Sequence, residues 1–167
     1  MAALTAANRL IALPLFQQSE HIACYLAYQH ELDTLSLIQR MLAEKKYCYL
    51  PLLKPDNSLE FARYEYGDAL RPNAFGIFEP LPDAEKIPAN ELDLVVMPLV
   101  AFDLAGHRLG TGGGYYDRTF GFISGTQSSK PYLLGFAYAA QQADFIPVEP
   151  WDVKMMGVVT EEKFLKF

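Results

Sequence analysis

Cysteine is scarce in this chain of 167 residues: only Cys24 and Cys48 occur, and nothing near them has metal-ligand spacing. Both stand inside apolar runs, HIACYLAY and KYCYLPLL, and are expected as small buried side chains in a reducing compartment. Positive charge is also in short supply. Fourteen Lys and Arg against 20 Asp and Glu give a net charge of −6, and the basic residues are scattered, which argues against broad nucleic-acid binding. No apolar run approaches the roughly 20 residues that cross a bilayer, and the N-terminus lacks the basic and apolar stretches of a signal peptide. A cytoplasmic protein without membrane contact is expected. No internal repeat, low-complexity tract or domain linker interrupts residues 1–167, which read as one domain. His21, His30 and His107 show no ligand spacing and are expected at the surface or at strand ends.

Hydrophobic residues make up 51% of the chain and charged residues 20%, proportions that suit an ordinary globular core. The alanine- and leucine-rich stretch from Ala2 to Leu13 predicts a helix with Pro14 as its stop signal. Ile22 to Tyr28 reads as a strand and Thr34 to Glu44 as a helix, with Thr34 as N-cap and Leu35, Ile38, Met41 and Leu42 on one face. Tyr47 to Leu52 returns to strand, so this order forms a parallel crossover unit. From Lys54 to Asp93 prolines weaken the pattern and leave one strand, Leu59 to Tyr64. Leu94 to Pro98, Tyr132 to Ala137 and Gly157 to Val159 complete the strands, Tyr115 to Phe122 reads as a helix, and the stretch SGTQSSK after it as a solvated loop. The result is an α/β fold: an open, mostly parallel sheet with helices on both faces. In such sheets ligands bind outside the carboxyl ends of the strands, where the Gly-rich loop, the turn from Gln29 to Asp33 and the loop before Trp151 can converge.

Five of the eleven glycines fall within nine residues, Gly106, Gly110, Gly112, Gly113 and Gly114, in the run GHRLGTGGGYYDR. The run follows the apolar segment LDLVVMPLVAFD and precedes a helix opening at Tyr115 or Tyr116. Bare backbone beside a helix start is a place for an anion, because glycine lets amides approach closely and the helix end adds unpaired N–H groups. Arg108 has a planar guanidinium suited to a phosphate, and Asp117 is placed either to support the helix start or to hold a metal on the phosphates. No Gly-Lys-Ser/Thr closes the loop, and GTGGGY lacks the last glycine of G-x-G-x-x-G, so neither generic phosphate motif applies.

The run G-x-R-L-G-x-G-x-G-Tyr-Tyr-Asp after Pro-Leu-x-x-Phe-Asp resembles the signature of the 5-formyltetrahydrofolate cyclo-ligase family. CYLAYQHELDT, AFGIFEP and IPVEPWDVKMMGVVT resemble further blocks of that family in the same order, from about Ile22 to Thr160. The resemblance implies a three-layer α/β/α fold, NagB/RpiA/CoA-transferase-like, and a reaction in which ATP and Mg2+ drive closure of 5-formyltetrahydrofolate to 5,10-methenyltetrahydrofolate, releasing ADP and phosphate. Carried over by motif position, Arg108, Leu109, Gly110, Thr111, Gly112, Gly113, Gly114, Tyr115 and Tyr116 line the ATP phosphates. Thr111 to Tyr115 also touch the formyl-bearing substrate, with Tyr115 as main contact, and Asp117 and Asp152 hold Mg2+. Arg108, Tyr115 and Asp117 are the expected catalytic set. Glu31 faces the folate, where a carboxylate can pair with pterin N–H donors, and Phe75, with Phe78 near it, offers a ring for stacking or else packs in the core. Tyr116 and Trp151 fit core positions equally well.

Two departures from the family pattern stand out. Family members usually begin with a basic helix carrying a Lys and Arg pair, whereas Arg9 is the one charged residue before Glu20, so that helix is expected to be lacking. Gly113 also stands where some members place a lysine. A non-catalytic folate- or nucleotide-binding relative is therefore the alternative to the enzyme, and an unrelated α/β phosphate-binding enzyme such as a sugar-phosphate isomerase is a third. A monomer is expected, with a dimer as the other option.

Overall fold

A computed structural model describes residues 1–125 and 130–167. Five strands form the parallel centre of an eight-stranded sheet: β1 (His21–Ala23), β2 (Tyr47–Leu53), β7 (Leu94–Met97), β10 (Tyr132–Phe136) and β11 (Gly157–Val159). Three antiparallel strands finish its edges, β3 (Leu59–Tyr64) and β6 (Lys86–Ile87) beyond β2, and β12 (Phe164–Lys166) beyond β11. Two small hairpins stand apart, one from β4 (Leu70–Pro72) and β5 (Phe78–Pro80), the other from β8 (Ala101–Phe102) and β9 (Arg108–Leu109). The order β11-β10-β7-β1-β2 places the first strand inside the sheet. From β1 the chain winds outward to β2, then returns to β7 on the other side, so the winding reverses between β1 and β7. That reversal opens a crevice at the carboxyl ends of those two strands.

Period-two alternation divides each strand between two cores. Ile22, Cys48, Leu50, Leu94, Val96, Leu134, Phe136 and Val159 point to one face, and Ala23, Tyr49, Val95, Met97, Leu133 and Val158 to the other. The first face is covered by α1 (Ala2–Ile11), α2 (Pro14–Gln18) and α3 (Leu35–Ala43), which bury Ala6, Leu10, Phe16, Leu37, Ile38 and Met41. The second is covered by the six-residue α4 (Tyr115–Phe120) through Phe120, by Phe102 of β8, and by loop residues such as Leu99, Val153 and Met155. Each fully buried Leu or Phe contributes about 1.5–3 kcal/mol, so both faces hold the sheet together.

Several local expectations change. Pro14 opens α2 at its first position, where a missing N–H costs nothing, so α1 ends earlier at Ile11. The strand expected to Tyr28 stops at Ala23. Beyond Cys24, whose N–H still reaches the Tyr49 carbonyl, the Tyr25 carbonyl accepts the Thr34 hydroxyl instead of a ladder partner. Thr34 is thereby withdrawn from capping α3, and Asp33 accepts the Leu35 N–H at 3.0 Å in its place. Leu35 points outward, 55% exposed, while Leu37, which the expected face omitted, is fully buried. The helix after the Gly-rich loop is α-helical only to Phe120 and continues as a 3-10 turn over Gly121–Gly125. Of the expected solvated loop, residues 126–129 lie outside the described residues. The region of 54–93 holds more strand than expected: β4, β5 and β6 are two or three residues long, too short to leave a periodic pattern.

Candidate functional site

The loops that follow β1, β7 and β10 meet at the crevice. After β1, Tyr25 turns inward and its hydroxyl donates to the Leu32 carbonyl at 2.6 Å and, at 3.4 Å, to the Phe136 carbonyl that ends β10. This ties the turn carrying Glu31 to the end of the sheet. Glu31 folds back to accept the Tyr28 N–H at 2.9 Å. Burial raises its carboxyl above the ordinary 4.5, against the lowering effect of that bond.

After β7, the β8–β9 hairpin is pinned by Asp103, 3% exposed, which accepts the N–H groups of Ala105, His107 and Ile146 as well as His107 Nδ1 at 2.9 Å. Burial pushes the Asp103 carboxyl up, but the hydrogen bonds from His107, Ile146 and Ala105 outweigh it, so the group lies below the ordinary 3.8. Gly106 is required there: its φ is +86° and an added Cβ would stand 2.9 Å from the Met155 carbonyl oxygen. That close approach lets the Met155 N–H donate to the Gly106 carbonyl and seats the strand-like segment around Val153 against the hairpin.

Arg108 leaves β9 and turns inward, its side chain only 6% exposed, to donate to Asp117 Oδ1 at 2.8 Å. It also lies over the Tyr116 ring, 5.8 Å from the centroid. The guanidinium is therefore engaged with a carboxylate rather than reaching into solvent, and its Nε is buried with no hydrogen-bond partner. Asp117 Oδ1 also accepts the Val153 N–H at 3.0 Å, so this carboxylate, which stands in the first turn of α4, joins that helix to the segment after β10. Leu109 is half exposed and Thr111, Gly112, Gly113 and Gly114 form the open rim, with Gly110 behind them. Gly114, at φ +67°, is the N-cap of α4, which opens at Tyr115.

Tyr115 lays its ring over Gly113, where an added Cβ would meet it at 2.5 Å. Gly113 thus allows an orientation of Tyr115 that a lysine there would displace. Phe75, in the turn of the β4–β5 hairpin, sits edge-on to Tyr115 at 6.5 Å and is 54% exposed, which removes it from the core. Phe78 is equally exposed. Tyr116 packs on Phe120, and burial followed by the charge of Glu31 drives its phenol far up, against the pull of Arg108. Glu31, Tyr116 and Arg108 therefore share one neighbourhood. Trp151 is 67% exposed and belongs to no core.

Asp152 Oδ2 accepts the Glu149 N–H at 2.9 Å, holding its own loop, and the residue lines a cleft of about 110 Å³ with Arg108 and Val153. Among the described residues, no cluster of three or more His, Cys, Asp or Glu is built to hold a metal on protein ligands alone. A larger concavity of about 370 Å³ lies elsewhere, around Arg63, Glu65, Asp68, Asp83 and Glu85. It is acidic and distant in sequence from the Gly-rich loop.

Two residues were not singled out in the sequence. Arg118 donates to the Asn57 carbonyl at 2.9 Å and to the Gly113 carbonyl at 3.4 Å, bracing the loop. Thr119 accepts the Leu59 N–H at 2.8 Å and so docks α4 on β3. Their signal was their place on α4, one residue and two residues beyond Asp117. His107, expected at the surface or a strand end, does stand at a strand end, directly before β9, and it also lines the Arg108 cleft.

The pattern of the 5-formyltetrahydrofolate cyclo-ligase family matches residues 2–161. A 5-formyltetrahydrofolate cyclo-ligase of Haemophilus influenzae is 40% identical over 146 residues, covering 86% of this chain and 76% of the relative. That of Escherichia coli K12 is 38% identical over 161 residues, covering 95% and 87%. Among solved structures, the 5,10-methenyltetrahydrofolate synthetase of Aquifex aeolicus superposes with a TM-score of 0.82 at 32% identity, over 98% of this chain and 80% of that one. The fold, the order of the motif blocks and this extent of likeness together establish that the chain belongs to the 5-formyltetrahydrofolate cyclo-ligase family.

Proposed function

We propose that this chain closes 5-formyltetrahydrofolate to 5,10-methenyltetrahydrofolate at the expense of ATP. Besides family membership, the observation that carries the reading is the Arg108–Asp117 pair, set at the end of the Gly-rich loop and fixed to the Val153 N–H. A cation and a carboxylate beside the loop's amides support a reading in which the loop receives a triphosphate.

The formyl oxygen is a poor leaving group until it is phosphorylated. In the proposed reaction it attacks the γ-phosphorus and ADP leaves. N10 then adds to the activated formyl carbon and gives up its proton, and the carbon–oxygen bond breaks to release phosphate. Such transfers need positioning and charge neutralisation more than a protein nucleophile. Arg108 and the open amides of Gly110 to Gly114 bear on the phosphates, with Leu109 and Tyr116 forming the backing. Tyr115 and Thr111 face the formyl group, Phe75 provides the exposed ring for the pterin, and Glu31 pairs with pterin N–H donors.

The donor set fits Mg2+. Asp117 and Asp152 each commit one oxygen to the protein and keep the other free of hydrogen bonds among the described residues. Mg2+ binds through one or two carboxylates plus phosphates and water, which matches two such oxygens. When bound it would offset phosphate charge. Among the described residues no helix is long and apolar enough to cross a membrane, and we place the reaction in the cytoplasm. The test is the near-ultraviolet absorbance of methenyltetrahydrofolate on mixing the chain with 5-formyltetrahydrofolate and MgATP, beside a no-ATP blank and an Asp117→Ala control. Product that depends on ATP and disappears in the control is expected; product equally fast without ATP, or none at all, sinks the reading.

A further inference from the structure

The cleft beside Arg108 contains more unpaired nitrogen groups than the family's loop motif accounts for. Its lining joins His107 and Arg108 to Val148, Val153 and Lys154, together with the acidic Glu149 and Asp152. The Arg108 side chain is more than nine-tenths buried; its Nε is sealed without a partner, whereas its Nη1 makes no hydrogen bond among the described residues and is not sealed from solvent. His107 gives its Nδ1 to the Asp103 carboxylate, which is ionised and can only accept, so Nδ1 carries the proton and the ring is fixed with Nε2 free. That Nε2 makes no hydrogen bond among the described residues and is not sealed from solvent. The Lys154 ammonium likewise has no ion pair or hydrogen bond among the described residues, since its neighbours Val153 and Met155 take the buried positions and leave it outward.

We propose that His107 and Lys154 complete, with Arg108, a subsite for a phosphoryl group in this cleft, an inference that rests on the functional reading above. An unpaired Arg108 Nη1 and the Lys154 ammonium around about 110 Å³, with His107 Nε2 beside them, favour an anion over an apolar ligand. With Nδ1–H held by Asp103, His107 Nε2 is turned to the cleft, where it meets a phosphoryl group either by donating a proton or by accepting one from a P–O–H. Glu149 and Asp152 oppose an anion unless their charge is offset. Asp152 is the carboxylate assigned to Mg2+, so the two roles are compatible. The phosphoryl group is either part of the bound nucleotide or the phosphate released by the reaction.

Trp151 is the only tryptophan of the chain and stands between two residues of this cleft, so its fluorescence reports occupancy without turnover. Titrations with MgADP, inorganic phosphate and 5-formyltetrahydrofolate are made on wild type, Lys154→Ala, His107→Ala, His107→Gln and the Lys154→Ala/His107→Gln double variant, each first checked for an unchanged thermal transition. Loss of one charge-assisted contact is expected to weaken MgADP or phosphate binding about tenfold, with His107→Gln milder than His107→Ala because its amide still donates. Affinity for 5-formyltetrahydrofolate stays at the wild-type value. A loss for MgADP assigns the subsite to the nucleotide, and a loss for phosphate alone assigns it to the released group. Wild-type affinity for both in the double variant overturns the proposal while leaving the functional reading intact; failure of wild type itself to bind MgADP overturns both.

Discussion

On one face of the sheet, α1, α2 and α3 lay down a continuous hydrocarbon layer in which Leu10, Phe16, Leu37 and Met41 have no exposed surface. On the other, a six-residue helix and irregular segments around Leu99, Val153 and Met155 do most of the covering. A helix satisfies its own amides, so it needs only an apolar side to be buried. A loop does not, and here buried carboxylates take over that duty. Asp103 accepts three backbone N–H groups and a histidine, and Asp117 accepts the Val153 N–H together with Arg108. The difference teaches why the proposed site lies where the loops are. The same charged groups that hold irregular backbone in place remain available for phosphate and metal.

Removing one of those carboxylates should have the largest consequence. Asp117→Ala leaves a buried guanidinium without its partner, a change that typically costs about 3–5 kcal/mol, and should also abolish turnover. Urea unfolding together with the absorbance assay tests both; a stable variant with wild-type activity would break the comparison. On the helical face, Leu10→Ala and Met41→Ala should each cost about 2–5 kcal/mol through the cavity they leave. Here kcat and KM of the folded fraction should not move, and a selective change in KM would show that the two faces are not separable.

Acid sharpens the comparison by sign. Asp103 has a folded value below its ordinary 3.8, so its stabilisation is complete above that value and is lost as pH falls through the folded one. Glu31 is raised above its ordinary 4.5, so the folded state holds the proton more tightly than the unfolded chain, and stability declines as pH rises through that window. Glu31→Gln should therefore stabilise the ligand-free protein at pH 7 while weakening folate binding, whereas Asp103→Asn should destabilise it by about 1–3 kcal/mol. Thermal melts from pH 3 to 8 read both, and parallel pH profiles for the two variants would contradict the assignment. The smallest effect is expected at Phe75→Ala. Its ring is exposed, so stability should change by less than about 0.5 kcal/mol, while loss of one stacking contact should raise KM for the folate roughly two- to tenfold.

Much of this was legible in the sequence. The parallel centre of the sheet, the crossover through α3 and the helix opening at Tyr115 followed from hydrophobic period and from glycine placement. The Gly-rich run also marked Arg108 and Asp117 as candidates, and motif order assigned the family. Local pattern failed where a tertiary partner competed for a backbone group, as when Thr34 bonded the Tyr25 carbonyl, and where strands were too short to show a period, as in β4 to β6. It also left open whether Phe75 was core or surface, because an aromatic in a turn has no period to read.

The sequence by itself determined which residues could carry the chemistry, since glycine's freedom, a guanidinium's fork and a carboxylate's charge are properties of single side chains. Only the tertiary structure decided how they are paired. Arg108 lies against Asp117, Asp152 holds its own loop, and His107 is aimed by Asp103 into a cleft shared with Lys154. The physical reason is that these contacts join strands and loops far apart in the chain, and winding that reverses between β1 and β7 is what brings them together.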